Sequence, residues 1–150
     1  GIPVMGHIGL TPQTASALGG FKMQGRHAAA AMDIIKDAKA LEEAGVFSMI
    51  LEAVPAPLGK LVAEYVSVPV IGIGAGADVD GQVLVTHDMV GLFDKFIPKF
   101  VKQYTRIRPI ILEALGEYKK EVQAAAFPAP EHSFKMSDEV LEQLKSELES

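Results

Sequence analysis

Short apolar runs alternate with amphipathic helical stretches in this chain, and that alternation leaves few folds open. Runs at residues 2–8, 47–52, 68–74 and 83–87 read as strands. Helical stretches fall at residues 26–44 and 58–66, between the first three. Antiparallel hairpins need only short turns, whereas a helix between two strands implies parallel strands joined by crossovers. Four such strands fit a small doubly wound sheet. They equally fit half of an eight-stranded α/β barrel, whose usual length is about 250 residues. The opening Gly1-Ile2-Pro3-Val4 has no initiator Met and no polar lead-in. It enters a strand at once, where natural termini are usually exposed. The expectation is a chain cut from something longer, which favours the half barrel.

The second run, Phe47-Ser48-Met49-Ile50-Leu51-Glu52, is apolar enough to be covered on both faces. It ends on a carboxylate just before Pro55-Ala56-Pro57. An ionised Glu is costly to bury without a partner. The carboxyl tips of parallel strands are also where α/β folds place their chemistry. Glu52 is therefore a solvated loop carboxylate, one tied up with a neighbouring Lys, or a functional one.

The helix over 26–44 carries Ala28 to Ala31, then Met32, Ile34, Ile35, Ala38 and Leu41 on one face, and Gly45 stops it. The short helix over 58–66 shows Leu58, Leu61, Val62 and Tyr65, with Pro57 at its start. Pro69 fits only at the beginning of the third strand. Phe93, Phe96, Ile97, Phe100, Val101 and Tyr104 recur at helical spacing around Pro98. A second long helix is expected over 108–126, and Ser137 caps a last one with Asp138 and Glu139 in its first turn. That last helix is expected to dock on this domain or on a neighbouring subunit. Residues 14–24, with Gly19-Gly20, read as a long loop with one helical turn.

A net charge of −5 gives no electrostatic case for nucleic acid or an anionic membrane. No apolar run reaches the length of a membrane span, and the first residues lack a signal-peptide pattern. The absence of Cys excludes disulfides and thiolate metal sites and fits a reducing, cytoplasmic setting.

Four constellations could carry chemistry. Gly72-Ile73-Gly74-Ala75-Gly76-Ala77 meets a loose dinucleotide fingerprint after a strand, but an Asp-rich turn follows where a helix should open. The alternative is a Gly-rich tip against which a ligand or a neighbouring loop packs closely. Asp78, Asp80, His87 and Asp88 suggest a metal site; Asp-x-Asp-Gly lacks the closing Glu of a calcium loop, so solvated turn residues are the simpler reading. His7 stands between Gly6 and Gly9 at a strand tip, against the plainer reading of a core histidine. No nucleophile elbow and no Cys nucleophile is present. His7, Glu52, the 72–76 tip and His87 would all line one rim.

The strand tips also carry a resemblance. Gly6-His7-Ile8-Gly9-Leu10-Thr11-Pro12-Gln13 and Gly19-Gly20-Phe21-Lys22-Met23-Gln24-Gly25-Arg26 are similar to ketopantoate hydroxymethyltransferases. So are Leu51-Glu52-Ala53-Val54-Pro55, Pro69-Val70-Ile71-Gly72-Ile73-Gly74-Ala75-Gly76, Asp80-Gly81-Gln82-Val83-Leu84-Val85 and Glu131-His132-Ser133-Phe134. Six ordered matches over most of the chain are far more specific than any single motif. The resemblance implies a (βα)8 TIM barrel, with this chain supplying about the last four strands and their helices. It implies residues 1–134 as the C-terminal half of the barrel and 135–150 as a helical extension. The implied reaction moves a one-carbon unit from 5,10-methylenetetrahydrofolate to 3-methyl-2-oxobutanoate, giving ketopantoate for pantothenate. Mg²⁺ is the implied metal, Glu52 the implied proton acceptor, and His7 takes a supporting role in orienting substrate.

That chemistry suits a strand-tip Glu. A carboxylate partly withdrawn from water gains basicity, and a metal on the keto oxygen stabilises the enolate left when C3 loses its proton. The family's metal-binding Asp residues, and the Ser and Lys that grip the keto acid, come from earlier strands and match nothing here. No metal ligand is therefore assigned to this chain. The expected partners are the two substrates, an N-terminal half of the barrel to cover open sheet edges, and further copies in a homo-oligomer. Two other readings stand beside this one. The first is a folate-independent C–C lyase or transferase of the phosphoenolpyruvate/pyruvate barrel group. The second is a non-catalytic assembly module.

Overall fold

The computed structural model describes residues 1–14 and 22–149. The loop expected over 14–24 falls largely on residues 15–21, outside the described residues, as do Gly19-Gly20-Phe21. The chain divides into two units, Gly1–Arg106 and Ile107–Ser150.

In the first unit the apolar runs become β1 (Met5–Gly9), β2 (Ser48–Glu52) and β3 (Val70–Ile73), with α1 (Ala28–Glu43) and α2 (Ala56–Tyr65) as the crossovers. A short β4 (Gly81–Gln82) completes a parallel sheet in the order β1-β2-β3-β4. The strand order separates the two architectures left open above. A doubly wound sheet reverses direction at a switch point, whereas a barrel adds each strand on the same side of the last. Here every step runs the same way.

Register divides the sheet into two faces. Gly6, Met49 and Val70 stand side by side, as do Ile8, Leu51 and Gly72. All six are buried, and a Cβ on Gly6 would lie 2.6 Å from Leu41 of α1. This face therefore meets the helices, and Met49, Leu51, Val62 and Val70 are its fully buried side chains. Ile34 and Ala38 are the buried residues of α1, while Met32 is half exposed on the other side. The expected stripe was one residue too wide there. In α2 the buried set is Leu58, Gly59 and Val62, and Leu61 and Tyr65 face outward. Gly45 ends α1 as expected. Its N–H bonds to Glu42 and that of Val46 to Leu41, the paired pattern that closes a helix on a left-handed residue.

The opposite face alternates with the first. His7, Ile50 and Ile71 form one row and Gly9, Glu52 and Ile73 the next. Ile50 and Ile71 are only partly buried.

Two local expectations fail. The fourth strand is not Val83 to His87. Only Gly81 and Gln82 pair with β3, and after Val83 donates to the Gly72 carbonyl the ladder ends. Its partner has left: β3 stops at Ile73, and Gly74 turns away with φ +67°. Thr86–Met89 is then a single helical turn, α3, so His87 lies on a helix rather than at a strand tip. The aromatic residues around Pro98 form no helix either. Gly91 closes α3 with φ +65°, and Pro98 lacks the N–H a helix would need. The segment is a loop whose ends are tied by a bond from the Tyr104 N–H to the Met89 carbonyl.

The second unit holds α4 (Arg108–Gln123) and α5 (Asp138–Leu148). Ser137 caps α5, its hydroxyl accepting from the Val140 N–H at 3.4 Å. Phe127 contacts both Tyr118 and His132, with ring centroids 5.6 and 5.1 Å apart. No residue of α4 or α5 is buried, and the stripe of α5 through Val140, Leu141 and Leu144 is exposed.

Candidate active site

Glu52 is the last residue of β2, and its main chain is held from three sides. Its carbonyl accepts from Leu10 at 2.9 Å, beyond β1. The next residue, Ala53, donates to Ile73 at 2.8 Å and accepts from Gln24 at 2.9 Å. Val54 donates to Gly74 at 3.2 Å. These bonds fix a sharp turn in which Ala53 takes φ +50°. A non-glycine residue in the left-handed region costs about 1–2 kcal/mol, and it persists where surrounding contacts over-determine it. The strain swings the chain out of the strand at the point where the carboxylate must be aimed.

Gly9 makes the approach of β1 possible. Its φ is +83°, and a Cβ there would collide with the Glu52 carbonyl oxygen. Only a residue without a side chain lets the two strand tips come this close.

The side chains converge on the helix-free face. His7 and Glu52 lie in adjacent rows there, and His7 Nε2 is 3.0 Å from Glu52 Oε2. Their side chains are 30% and 14% exposed, so the pair is half-withdrawn from water. A carboxylate can only accept, so Nε2 carries the proton of this bond. The imidazole then fixes one carboxylate oxygen and the rotation of the group. The single contact engages Oε2 alone, and Glu52 also lines a cavity.

That cavity, about 1130 Å³, opens at the carboxyl ends of the strands. Leu10 comes from beyond β1, Ala53 and Val54 from beyond β2, Gly74 and Gly76 from beyond β3, and Asp88 from α3. Phe93, Phe96, Lys99 and Phe100 form its outer wall. The rim expected from the sequence therefore exists for Glu52 and the glycine tip. His7 joins it through Glu52 rather than as a wall residue. His87 is exposed and lines no part of it; its neighbour Asp88 does.

The glycine tip is a packing device. The Phe100 ring sits on Gly74, where a Cβ would be 2.5 Å from the ring, and Gly76 abuts Ala56 in the same way. This is the close approach of a neighbouring loop, and among the described residues the chain after Gly76 enters β4 rather than the helix a nucleotide fingerprint would open. Asp80 is structural: its carboxylate accepts from the Val70 N–H at 2.8 Å and its own N–H donates to the Val70 carbonyl. Asp78 is exposed. Among the described residues no group of three or more His, Asp or Glu side chains is placed to hold a metal ion.

The sequence pattern did not reveal the aromatic wall, and it raised Asp88 only as a candidate metal ligand. The available signal was a conflict: helical spacing over 93–104 interrupted by Pro98, beside a glycine tip needing something to pack on it.

Comparison with known proteins agrees with this architecture. The profile of the family described as ketopantoate hydroxymethyltransferase matches residues 1–130. The 3-methyl-2-oxobutanoate hydroxymethyltransferase of Heliobacterium modesticaldum is 56% identical over 93% of this chain and 51% of its own length. The protein of that name from Oleidesulfovibrio alaskensis is 57% identical over 93% of this chain and 48% of its own. A third, from Syntrophomonas wolfei, is 54% identical over 95% and 52%. The chain spans about half the length of the curated relatives it matches. With four parallel strands wound in barrel order and a family profile covering most of its residues, the chain belongs to the ketopantoate hydroxymethyltransferase family.

Proposed function

We propose that this chain carries the proton-transfer half of a hydroxymethyltransferase site, acting on 3-methyl-2-oxobutanoate with 5,10-methylenetetrahydrofolate as one-carbon donor. The observation that carries the reading is the His7–Glu52 pair at 3.0 Å, seated beside a largely apolar cavity at the carboxyl end of the sheet. Glu52 takes the C3 proton of the keto acid. The resulting enolate carbon bonds to the one-carbon unit, whose bonds to the folate nitrogens break, and water supplies the hydroxyl. The proton gathered by Glu52 and the second proton of that water end on the two folate nitrogens, so atoms and charge balance. His7 orients substrate indirectly, by holding the carboxylate at the angle from which the proton can be taken.

The relatives' shared name supports a hydroxymethyl transfer over a folate-independent C–C cleavage. Mg²⁺ belongs to the proposal but finds no ligand set among the described residues, so no step is written through it. Its ligands are assigned to an N-terminal half of the barrel. The half-covered row of Ile50 and Ile71 beside His7 supports such a partner, because a closed barrel packs that face as its interior. In the assembled protein, residues 1–134 complete the barrel and the helix beyond 135 extends from it. A homo-oligomer and a cytoplasmic location accompany this reading. No helix among the described residues is long and apolar enough to cross a membrane.

The test is product formation by the complete protein. Incubation of 3-methyl-2-oxobutanoate with ¹³C-labelled methylenetetrahydrofolate should yield labelled ketopantoate, and omission of folate should abolish it. Product without folate, or no product from the folded protein, overturns the reading.

A further inference from the structure

The peptide planes on either side of Ala53 are each held at both ends. In the plane between Glu52 and Ala53 the carbonyl accepts from the Leu10 N–H at 2.9 Å, and the N–H donates to the Ile73 carbonyl at 2.8 Å. In the plane between Ala53 and Val54 the carbonyl accepts from the Gln24 N–H at 2.9 Å, and the N–H donates to the Gly74 carbonyl at 3.2 Å. All four partners belong to this chain. Two planes fixed in this way dictate the dihedral angles between them, and the result is φ +50° at Ala53.

Glycine would take that conformation without steric cost, yet the residue here carries a methyl group. Ala53 is 8% exposed and Leu10 4%, and the two form a buried cluster apart from the main core. Closing a barrel over them can only deepen that burial. Leu10 is also the residue whose N–H holds the Glu52 carbonyl. The methyl therefore seats the same residue that grips the main chain of the carboxylate. On the other side, Gln24 is fixed by its neighbour Gly25, whose φ is +71° and where a Cβ would lie 2.5 Å from Leu58 of the core.

We propose that Ala53 is a positioning residue for proton abstraction: its methyl, wedged against Leu10, narrows a left-handed turn that glycine would leave free, and so holds the Glu52 carboxylate at one angle to the substrate. This rests on Glu52 as the base and adds the element that aims it. His7 fixes the far end of the side chain, at Oε2, and Ala53 fixes the near end. Glycine has access to the whole region of positive φ, so the plane between residues 52 and 53 would gain freedom to rotate. That rotation moves the Cα from which the carboxylate hangs. A catalytic group displaced by about 1 Å loses up to about 10²-fold in rate. The strained alanine thus trades ease of folding for a fixed carboxylate.

The experiment compares Ala53→Gly and Ala53→Ser in the complete protein. Solvent exchange of the C3 proton of 3-methyl-2-oxobutanoate is followed against keto acid concentration, and guanidinium denaturation reports stability. Ala53→Gly should lower the maximal exchange rate at least about 10-fold while the half-saturating concentration changes by less than about twofold. Its folding equilibrium should stay within about fivefold of the wild type, because relief of the left-handed strain offsets the added freedom of the unfolded chain. Ala53→Ser keeps the Cβ and should recover most of the exchange rate. Wild-type exchange in Ala53→Gly, a loss that Ala53→Ser shares equally, or a loss that only tracks the unfolded fraction overturns the role of Ala53. A wild type that binds the keto acid but exchanges no C3 proton overturns the assignment of Glu52 itself.

Discussion

Replacing Gly9 with Ala tests whether the tip of β1 sets the position of Glu52. The substitution carries two costs that the structure separates. The first is conformational: φ is +83°, a region that costs a side-chain-bearing residue about 1–2 kcal/mol. The second is steric. The new methyl overlaps the Glu52 carbonyl oxygen and lies 3.1 Å from Val54 Cγ1, so the tip must move and the Leu10–Glu52 bond stretches. A lost hydrogen bond of this kind adds about 1 kcal/mol. The sum is about 2–3 kcal/mol, roughly a 30- to 150-fold change in the folding equilibrium. Gly45 provides the control, because its φ is +87° and nothing lies within 4 Å of the added carbon. Gly45→Ala should cost only the conformational part, about 1–2 kcal/mol. Guanidinium denaturation of the complete protein gives the stability difference, and solvent exchange of the keto acid's C3 proton reports on Glu52. Gly9→Ala should slow that exchange about 10²-fold, the usual effect of a catalytic group displaced by about 1 Å. If Gly9→Ala is no more destabilising than Gly45→Ala and exchanges at the wild-type rate, the tip does not position Glu52.

Three further outcomes follow from the geometry. His7→Ala removes a charge-assisted bond to Glu52 and should slow C3-proton exchange about 10- to 100-fold, whereas His7→Gln, which retains an N–H donor, should recover much of it; equal rates in the two variants would argue against a positioning role. Glu42 accepts from the Lys39 ammonium and from the Ser67 N–H, and these hold its carboxyl below the ordinary value. Its contribution to stability is thus present above the unfolded-state value and disappears as pH falls through the lower, folded-state one. The denaturation midpoints of wild type and Glu42→Gln should differ at neutral pH and converge in acid; a gap that widens below the ordinary carboxylate range would contradict this. Asp80→Ala removes an acceptor at 2.8 Å from the Val70 N–H and should destabilise the protein by about 1.5–3 kcal/mol, measured by denaturant titration; a change in metal affinity instead would reopen Asp80 as a ligand.

Much of the fold was legible because parallel strands leave a strong pattern. The Met49-Ile50-Leu51 run, the stop at Gly45 and the Ser137 cap each carry their own physical signal, and each lies where the sequence places it. What failed depended on partners. Val83-Leu84-Val85 has the composition of a strand, but a strand needs a ladder, and β3 ends before it can supply one. Met32 and Leu61 lie only one position off the true stripes, which spacing alone resolves poorly. Of the site, Glu52 was visible because a carboxylate ending an apolar strand is anomalous. Its grip was not: the His7 contact spans 45 residues of sequence, and the left-handed turn at Ala53 has no glycine to announce it. The glycines at 72–76 were legible as a close-packing tip because no helix follows them in the sequence, but that Phe100 is what packs there was not.

The central claim is that Glu52 removes the C3 proton of the keto acid. Incubating the complete protein with 3-methyl-2-oxobutanoate in D₂O, without folate, isolates that step, and proton NMR follows loss of the C3 signal. Glu52→Gln keeps the shape of the side chain and removes the base. Exchange should fall by about 10²–10⁴-fold while the keto acid still binds, the range expected for loss of a general base. Exchange at the wild-type rate in Glu52→Gln would contradict the account.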